Sequence, residues 1–194
     1  MVAALVVAGC ASPSVTPGAT ASRATAAATA ATTPTAAATA TALTSDVTVD
    51  PSLLGILPAR VGGVAIVESR EGEASAGQAM VLADVATGFA AGLAADPGGA
   101  DWAFAVVVAL EPGVMSDAVF RTWRDTYDEG ACSQAGGVSG HAEAQLGGRT
   151  TYIASCAGGV TTYHVWLASK QRLVSVSAVG PRRFGEEVVK GIRE

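Results

Sequence analysis

The sequence predicts an α+β domain over residues 46–194, with a largely antiparallel sheet of about six strands and three helices in the order β-α-β-α-β-β-β-β-α. Three observations carry this prediction. The stretch DWAFAVVVALEPG is apolar on both sides of a period of two, which marks a central strand. From His141 to Val179, short alternating runs are separated by glycine-containing turns, the pattern of a meander. Three further segments place apolar residues at helical spacing.

Taken in order, a turn at Pro58 leads into a strand over residues 61–68, weakened by Gly62-Gly63. A polar, glycine-containing loop comes next. Leu82, Val85, Ala86, Phe89 and Leu93 then fall at helical spacing and predict the first helix, ended by Asp96-Pro97-Gly98-Gly99. Gly88 and Gly92 within it are expected to let that helix lie close on the sheet. In the strand over 102–110, Trp102, Phe104, Val106, Val108 and Leu110 point one way and Ala103, Ala105, Val107 and Ala109 the other. Pro112-Gly113 turns the chain, and Ser116 is a good N-cap for a second helix. Phe120, Trp123 and Tyr127 share a face of that helix, and Gly130 ends it.

Residues 141–146 and 149–156 form a hairpin about Gly147-Gly148, a pair suited to a two-residue turn. A turn at 157–159 leads into a strand over 160–168, and residues 169–171 lead into one over 172–179. After Gly180-Pro181 the last helix carries Phe184, Val188 and Ile192 in register. The helices are expected on one face of the sheet, and there is no internal repeat.

The net charge of −5 argues against nonspecific nucleic-acid binding. Residues 1–148 carry 14 acidic and 5 basic side chains and residues 149–194 carry 3 and 7, an asymmetry read as ordinary surface charge. The long Ala/Thr-rich stretch is too rich in Thr and Pro to be a membrane span.

The N-terminal residues set an address. A short apolar run from Val2 to Ala8 is followed by Gly9 and Cys10, and Val7-Ala8-Gly9-Cys10 resembles the lipobox of bacterial lipoprotein precursors. That resemblance covers about the first ten residues and assigns no family to the domain behind them. It implies a signal peptide over 1–9, cleavage before Cys10 and a lipid on the Cys10 sulfur. No Lys or Arg precedes the apolar run, which a misplaced start codon or a trimmed sequence would explain. The expected location is extracytoplasmic, as a membrane-anchored lipoprotein of a bacterium. Residues 11–45 are almost wholly Ala, Thr, Ser and Pro, with Arg23 the only charge. Lacking large apolar side chains, they cannot offset the entropy of ordering, so residues 10–45 read as a lipidated cysteine and a disordered tether. A flexible chain of that length spans roughly 30–35 Å.

With Cys10 taking the lipid, Cys132 and Cys156 remain, and outside a membrane two such cysteines are expected to pair. No CxxC motif is present.

No catalytic motif emerges: GxSxG, P-loop, HExxH and EF-hand patterns are missing. The two histidines, His141 and His164, are too few for a histidine-rich metal site. Asp125, Asp128 and Glu129 read as a solvated acidic face of the second helix, so no metal and no cofactor are expected. The favoured function is therefore not an enzyme. It is a lipid-anchored binding or interaction module with an unidentified protein or small-molecule partner at the cell envelope. The alternative is an envelope hydrolase whose site is assembled from dispersed residues. A deep pocket holding a histidine beside a carboxylate would favour the hydrolase, and an aromatic patch the module.

Strand register names a candidate surface. A two-residue turn at Gly147-Gly148 puts Glu143 opposite Tyr152, and the next turn puts Tyr152 opposite His164, with Trp166 further along. The opposite side carries Ala142, Ala144, Leu146, Ile153, Tyr163, Val165 and Leu167, an apolar set that reads as core. Glu143, Tyr152, His164 and Trp166 are thus expected on an exposed face, as a binding surface, an ordinary solvated one, or aromatics covered by the tether. Cys156 falls on this face too, so its disulfide would have to reach around the sheet edge or the register would have to slip by one.

Overall fold

A computed structural model describes residues 47–78 and 83–193. The expected signal peptide over 1–9, the Cys10 anchor and the tether over 10–45 lie outside these residues, as does Leu82. In chain order the elements are β1 (Thr48–Val49), a 3-10 turn (Pro51–Ile56), β2 (Arg60–Val61), β3 (Val64–Ala65), β4 (Val67–Glu68), α1 (Arg70–Gln78), β5 (Ala86–Ala95) and β6 (Trp102–Leu110). They continue with α2 (Asp117–Cys132), β7 (Val138–Leu146), β8 (Arg149–Cys156), β9 (Thr161–Leu167), β10 (Arg172–Val179) and α3 (Phe184–Lys190). The domain is α+β and its main sheet is mostly antiparallel, with eight strands among the described residues and two more in a separate hairpin, β2-β3, where about six were expected. No helix among those residues is long and apolar enough to cross a membrane.

The sheet runs β1-β5-β6-β10-β9-β8-β7, with β4 pairing the same edge of β5 as β1 does. As expected, β6 is central, and β10 lies between it and β9. Gly147 and Gly148 both take positive φ (58° and 79°), the conformation that a two-residue hairpin turn requires and that glycine adopts without strain.

Three segments differ from the sequence expectation. Residues 86–95 form a strand, not a helix. Val85, Phe89 and Leu93 are four apart, a spacing that suits a period of two as well as one of 3.6. The glycines there serve strand pairing: a Cβ on Gly88 would lie 3.2 Å from the Thr48 carbonyl, and one on Gly92 would lie 2.9 Å from Ile66. The true first helix is α1, in the segment expected to be a loop. It starts at Ser69, whose hydroxyl accepts from the Gly72 amide, with Glu71 and Glu73 in its first turn. It is Gly72 that lets this helix lie on the sheet, since a Cβ there would sit 2.3 Å from the Phe104 ring. The expected strand over 61–68 is also broken, because Gly62-Gly63 turns β2 back on β3.

Helices cover both faces of the sheet rather than one. Phe184, Val188, Val189 and Ile192, with Leu53, Leu57 and Val61, close over Ala90, Ala105, Val107, Val165, Val174 and Val176. On the other side Phe120 and Trp123 of α2 close over Phe89, Val106, Val108 and Leu173, with Ala76 of α1 packed alongside. Tyr163, Val165 and Leu167 are buried as the alternation implied, and Leu146 and Ile153 are partly so. Ala142, on the edge strand β7, is exposed instead.

Candidate functional site

The second helix begins where Ser116 accepts from the Val119 amide at 3.3 Å. Each turn below that cap plants a different group on the sheet. Phe120 meets the rings of Tyr152 and Trp166, with centroids 5.3 and 6.1 Å apart. Trp123 donates its indole N–H to Ser175 Oγ at 2.9 Å. Tyr127 stands edge-on to the His164 ring at 5.1 Å, with its hydroxyl 3.1 Å from Ser177 Oγ. Asp128 receives hydrogen bonds from Thr162 and, at 2.8 Å, from His164 Nε2. Cys132 ends the helix in a disulfide with Cys156, their Cα atoms 5.2 Å apart. The tension over Cys156 disappears because α2 lies on the very face where Cys156 points.

Glu143 pairs with Tyr152 and Tyr152 with His164, the anticipated register. The face is not exposed, however. His164 is fully buried beneath α2, Tyr152 and Trp166 pack against Phe120, and Glu143 alone of the four is exposed. The acidic cluster is corrected in the same way: Asp125 and Glu129 are exposed, whereas Asp128 is 1% exposed. Strand alternation says which residues share a side, but which side a helix covers is decided elsewhere in the chain.

Ser175, His164 and Asp128 stand in the order hydroxyl, imidazole, carboxylate, with Ser175 Oγ 2.9 Å from His164 Nδ1. The inventory closes with the imidazole proton on Nε2, donated to Asp128, and the Ser175 proton donated to Nδ1. All three groups are buried and Ser175 Oγ is also taken by Trp123, so the hydroxyl has no free approach for a substrate. What this chain of hydrogen bonds does is fix the position of α2 on the sheet.

Beside it runs a cleft of about 720 Å³, between α1 and α2 and floored by β6 and β10. Trp102, Phe104, Val106, Trp123 and Tyr127 form its walls, with Ala76 and Gly72 on the α1 side and Thr126, Ala131 and Gln134 on the other. Trp102, Phe104 and Tyr127 are only half-buried because they border this opening. Burial of the Tyr127 hydroxyl pushes it up to about 12; Asp128 adds to the rise and the Ser177 hydrogen bond opposes it. None of Glu143, Tyr152, His164 and Trp166 lines the cleft. A smaller cavity of about 320 Å³ lies on the other face beside Tyr163 and Glu186. Burial first, then Glu186, raises the Tyr163 hydroxyl there, and Arg183 opposes the rise.

Sequence reasoning took Asp128 for a solvated residue and passed over Thr162, Ser175, Ser177 and the cleft. One signal was available for Asp128. It precedes Cys132 by four residues, so a disulfide that draws Cys132 onto the sheet draws Asp128 down with it.

No family model, no curated protein and no solved structure matches this chain.

Proposed function

We propose that the protein is a lipid-anchored binding module on the outer side of a bacterial membrane, and that its ligand is a small apolar molecule held in the cleft between α1 and α2. The observation that carries this reading is the lining. It combines four aromatic rings with small side chains and, among the described residues, includes no Asp, Glu, His, Lys or Arg. A volume of about 720 Å³ falls in the range of small-molecule sites, which are mostly apolar with a few polar groups for orientation. Here Ser177, Tyr127, Thr126 and Gln134 could supply that orientation. A hydrolase would need its acid, base or nucleophile in the opening, and the nearest such set, Ser175–His164–Asp128, is sealed beneath α2. The lipobox at Val7-Ala8-Gly9-Cys10 supports the anchor.

The test is titration with an environment-sensitive fluorescent fatty acid. Saturable binding is expected, weakened about tenfold or more by Ala131→Phe, which narrows the cleft from the partly exposed side of α2. Equal binding by the variant and the parent would remove the cleft from consideration. The anchor is tested separately: Cys10→Ala should move the protein from the membrane fraction to the soluble one, and identical fractionation would refute lipidation.

A further inference from the structure

We propose a second site, for a divalent first-row transition-metal ion such as Zn²⁺, where Asp125 and Asp128 of α2 meet His141 of β7. One potential ligand atom from each of the three lies within 4.8 Å of the other two. Proximity of acidic groups is common on surfaces, so the argument rests on a second fact. Asp128 is buried to 1% exposure, and its Oδ2 has no hydrogen-bond partner. A buried carboxylate oxygen left without a partner forfeits its hydration with nothing in return. This one faces His141 Nε2 at 3.7 Å. The other oxygen, Oδ1, is engaged by Thr162 and His164. Those contacts hold the carboxylate so that Oδ2 faces His141, and they act as the outer partners that orient a ligand.

The neighbouring groups suit this role. Arg124 makes both of its contacts to Asp125 through Oδ1, which leaves Oδ2 of that residue for an ion. The Arg124 guanidinium also lies over the Tyr152 ring, 5.3 Å from its centroid. A tetrahedral ion with bonds of about 2.0–2.2 Å holds its ligands roughly 3.3–3.6 Å apart. The His141–Asp128 pair is already near that spacing, and Asp125 and His141 have side chains 55% and 57% exposed, free to turn onto the ion. One imidazole nitrogen and two carboxylate oxygens select Zn²⁺ and its neighbours. Ca²⁺ prefers six to eight oxygens and Mg²⁺ an octahedral oxygen shell. Three protein ligands leave a position for water or for a donor from a partner. Bound there, the ion would clamp α2 to the edge strand β7.

The experiment is a calorimetric titration of the protein with ZnCl₂, paired with thermal denaturation and a parallel CaCl₂ titration. One equivalent of Zn²⁺ is expected to bind and raise the melting temperature, with no comparable effect of Ca²⁺. His141→Ala and Asp125→Asn replace exposed side chains, so both variants should fold as the parent does, and each should weaken Zn²⁺ binding about tenfold or more. Glu129→Gln, one residue beyond Asp128 and exposed, should bind as the parent does. The proposal is overturned if no Zn²⁺ binds, or if Asp125→Asn binds it unchanged, which would mean a lone surface histidine. It is equally overturned if Glu129→Gln loses as much as the others, or if His141→Ala lowers the melting temperature without altering the response to Zn²⁺, the mark of a plain ion pair.

Discussion

To α3 and the 3-10 turn, β6 and β10 present Ala103, Ala105, Val107, Val174, Val176 and Ala178. To α2, the same two strands present Val106, Val108, Leu173, Ser175 and Ser177. The first face is closed by Phe184, Val188, Val189 and Ile192, and its cohesion is burial of apolar area, which has no preferred direction. The second is closed by Trp123, Tyr127 and Asp128, each aimed at one partner, and by a disulfide at the end of the helix. Non-directional packing tolerates small shifts of α3. Directed hydrogen bonds do not, and they fix the angle at which α2 stands to the sheet. That angle holds open the cleft on one flank of the helix and brings Asp128 within reach of His141 on the other. The difference teaches where function is placed in this domain: the aliphatic face supplies stability, and the wired face positions groups.

The comparison can be broken most forcefully on the aliphatic face. Phe184 is fully buried, and Phe184→Ala should cost about 3–5 kcal/mol in urea unfolding. A loss below about 1 kcal/mol would show that this face does not carry the stability assigned to it. On the wired face, replacing both Cys132 and Cys156 by Ala should cost roughly 3–4 kcal/mol by the chain-entropy account for a 24-residue separation. Ligand binding in the cleft should also weaken, since the end of α2 is no longer tied down; unchanged binding would mean that the hydrogen bonds suffice.

The smallest effect is the most specific to the wired face. The Tyr127 hydroxyl is raised from the usual 10 to about 12 in the folded protein, so the folded state keeps a proton that the unfolded chain releases. Its contribution is complete below pH 10 and is lost as pH rises through about 12, on the order of 3 kcal/mol in all. Unfolding free energies measured across that window should fall less steeply for Tyr127→Phe than for the parent. Parallel curves would place the alkaline loss elsewhere, with Tyr163 on the opposite face the next group to test.

Some elements were legible and others were not, for identifiable reasons. β6, β8 and β10 fall at the residues expected, because an apolar run or a clean alternation bounded by turns leaves little else to choose. Two Gly-Gly pairs show the difference: Gly147-Gly148 was read as a turn between strands, and Gly62-Gly63 was not. At Gly147-Gly148 long alternating runs flank the pair; at Gly62-Gly63 the flanking strands are two residues each, too short to show a period. The segment 86–95 is Ala- and Gly-rich, and its two large apolar residues, Phe89 and Leu93, sit four apart, so helix and strand fit it equally. For α1 the signal was the cap at Ser69 with Glu71 and Glu73, without an apolar stripe to point to it.

By itself the sequence determined the α+β class, the meander from β7 to β10, its register from Glu143 through Tyr152 to His164, and the pairing of Cys132 with Cys156. These follow from period, turn chemistry and cysteine count, all of which act over a few neighbouring residues or by elimination. Only the tertiary structure decided that α2 and α3 cover opposite faces, that His164 is therefore buried and not displayed, and that Asp128 descends to meet it. Period two divides residues between two sides without saying which side meets water. That choice is made when helices distant in sequence dock, where each buried polar atom must find a partner among residues 34 to 52 positions away.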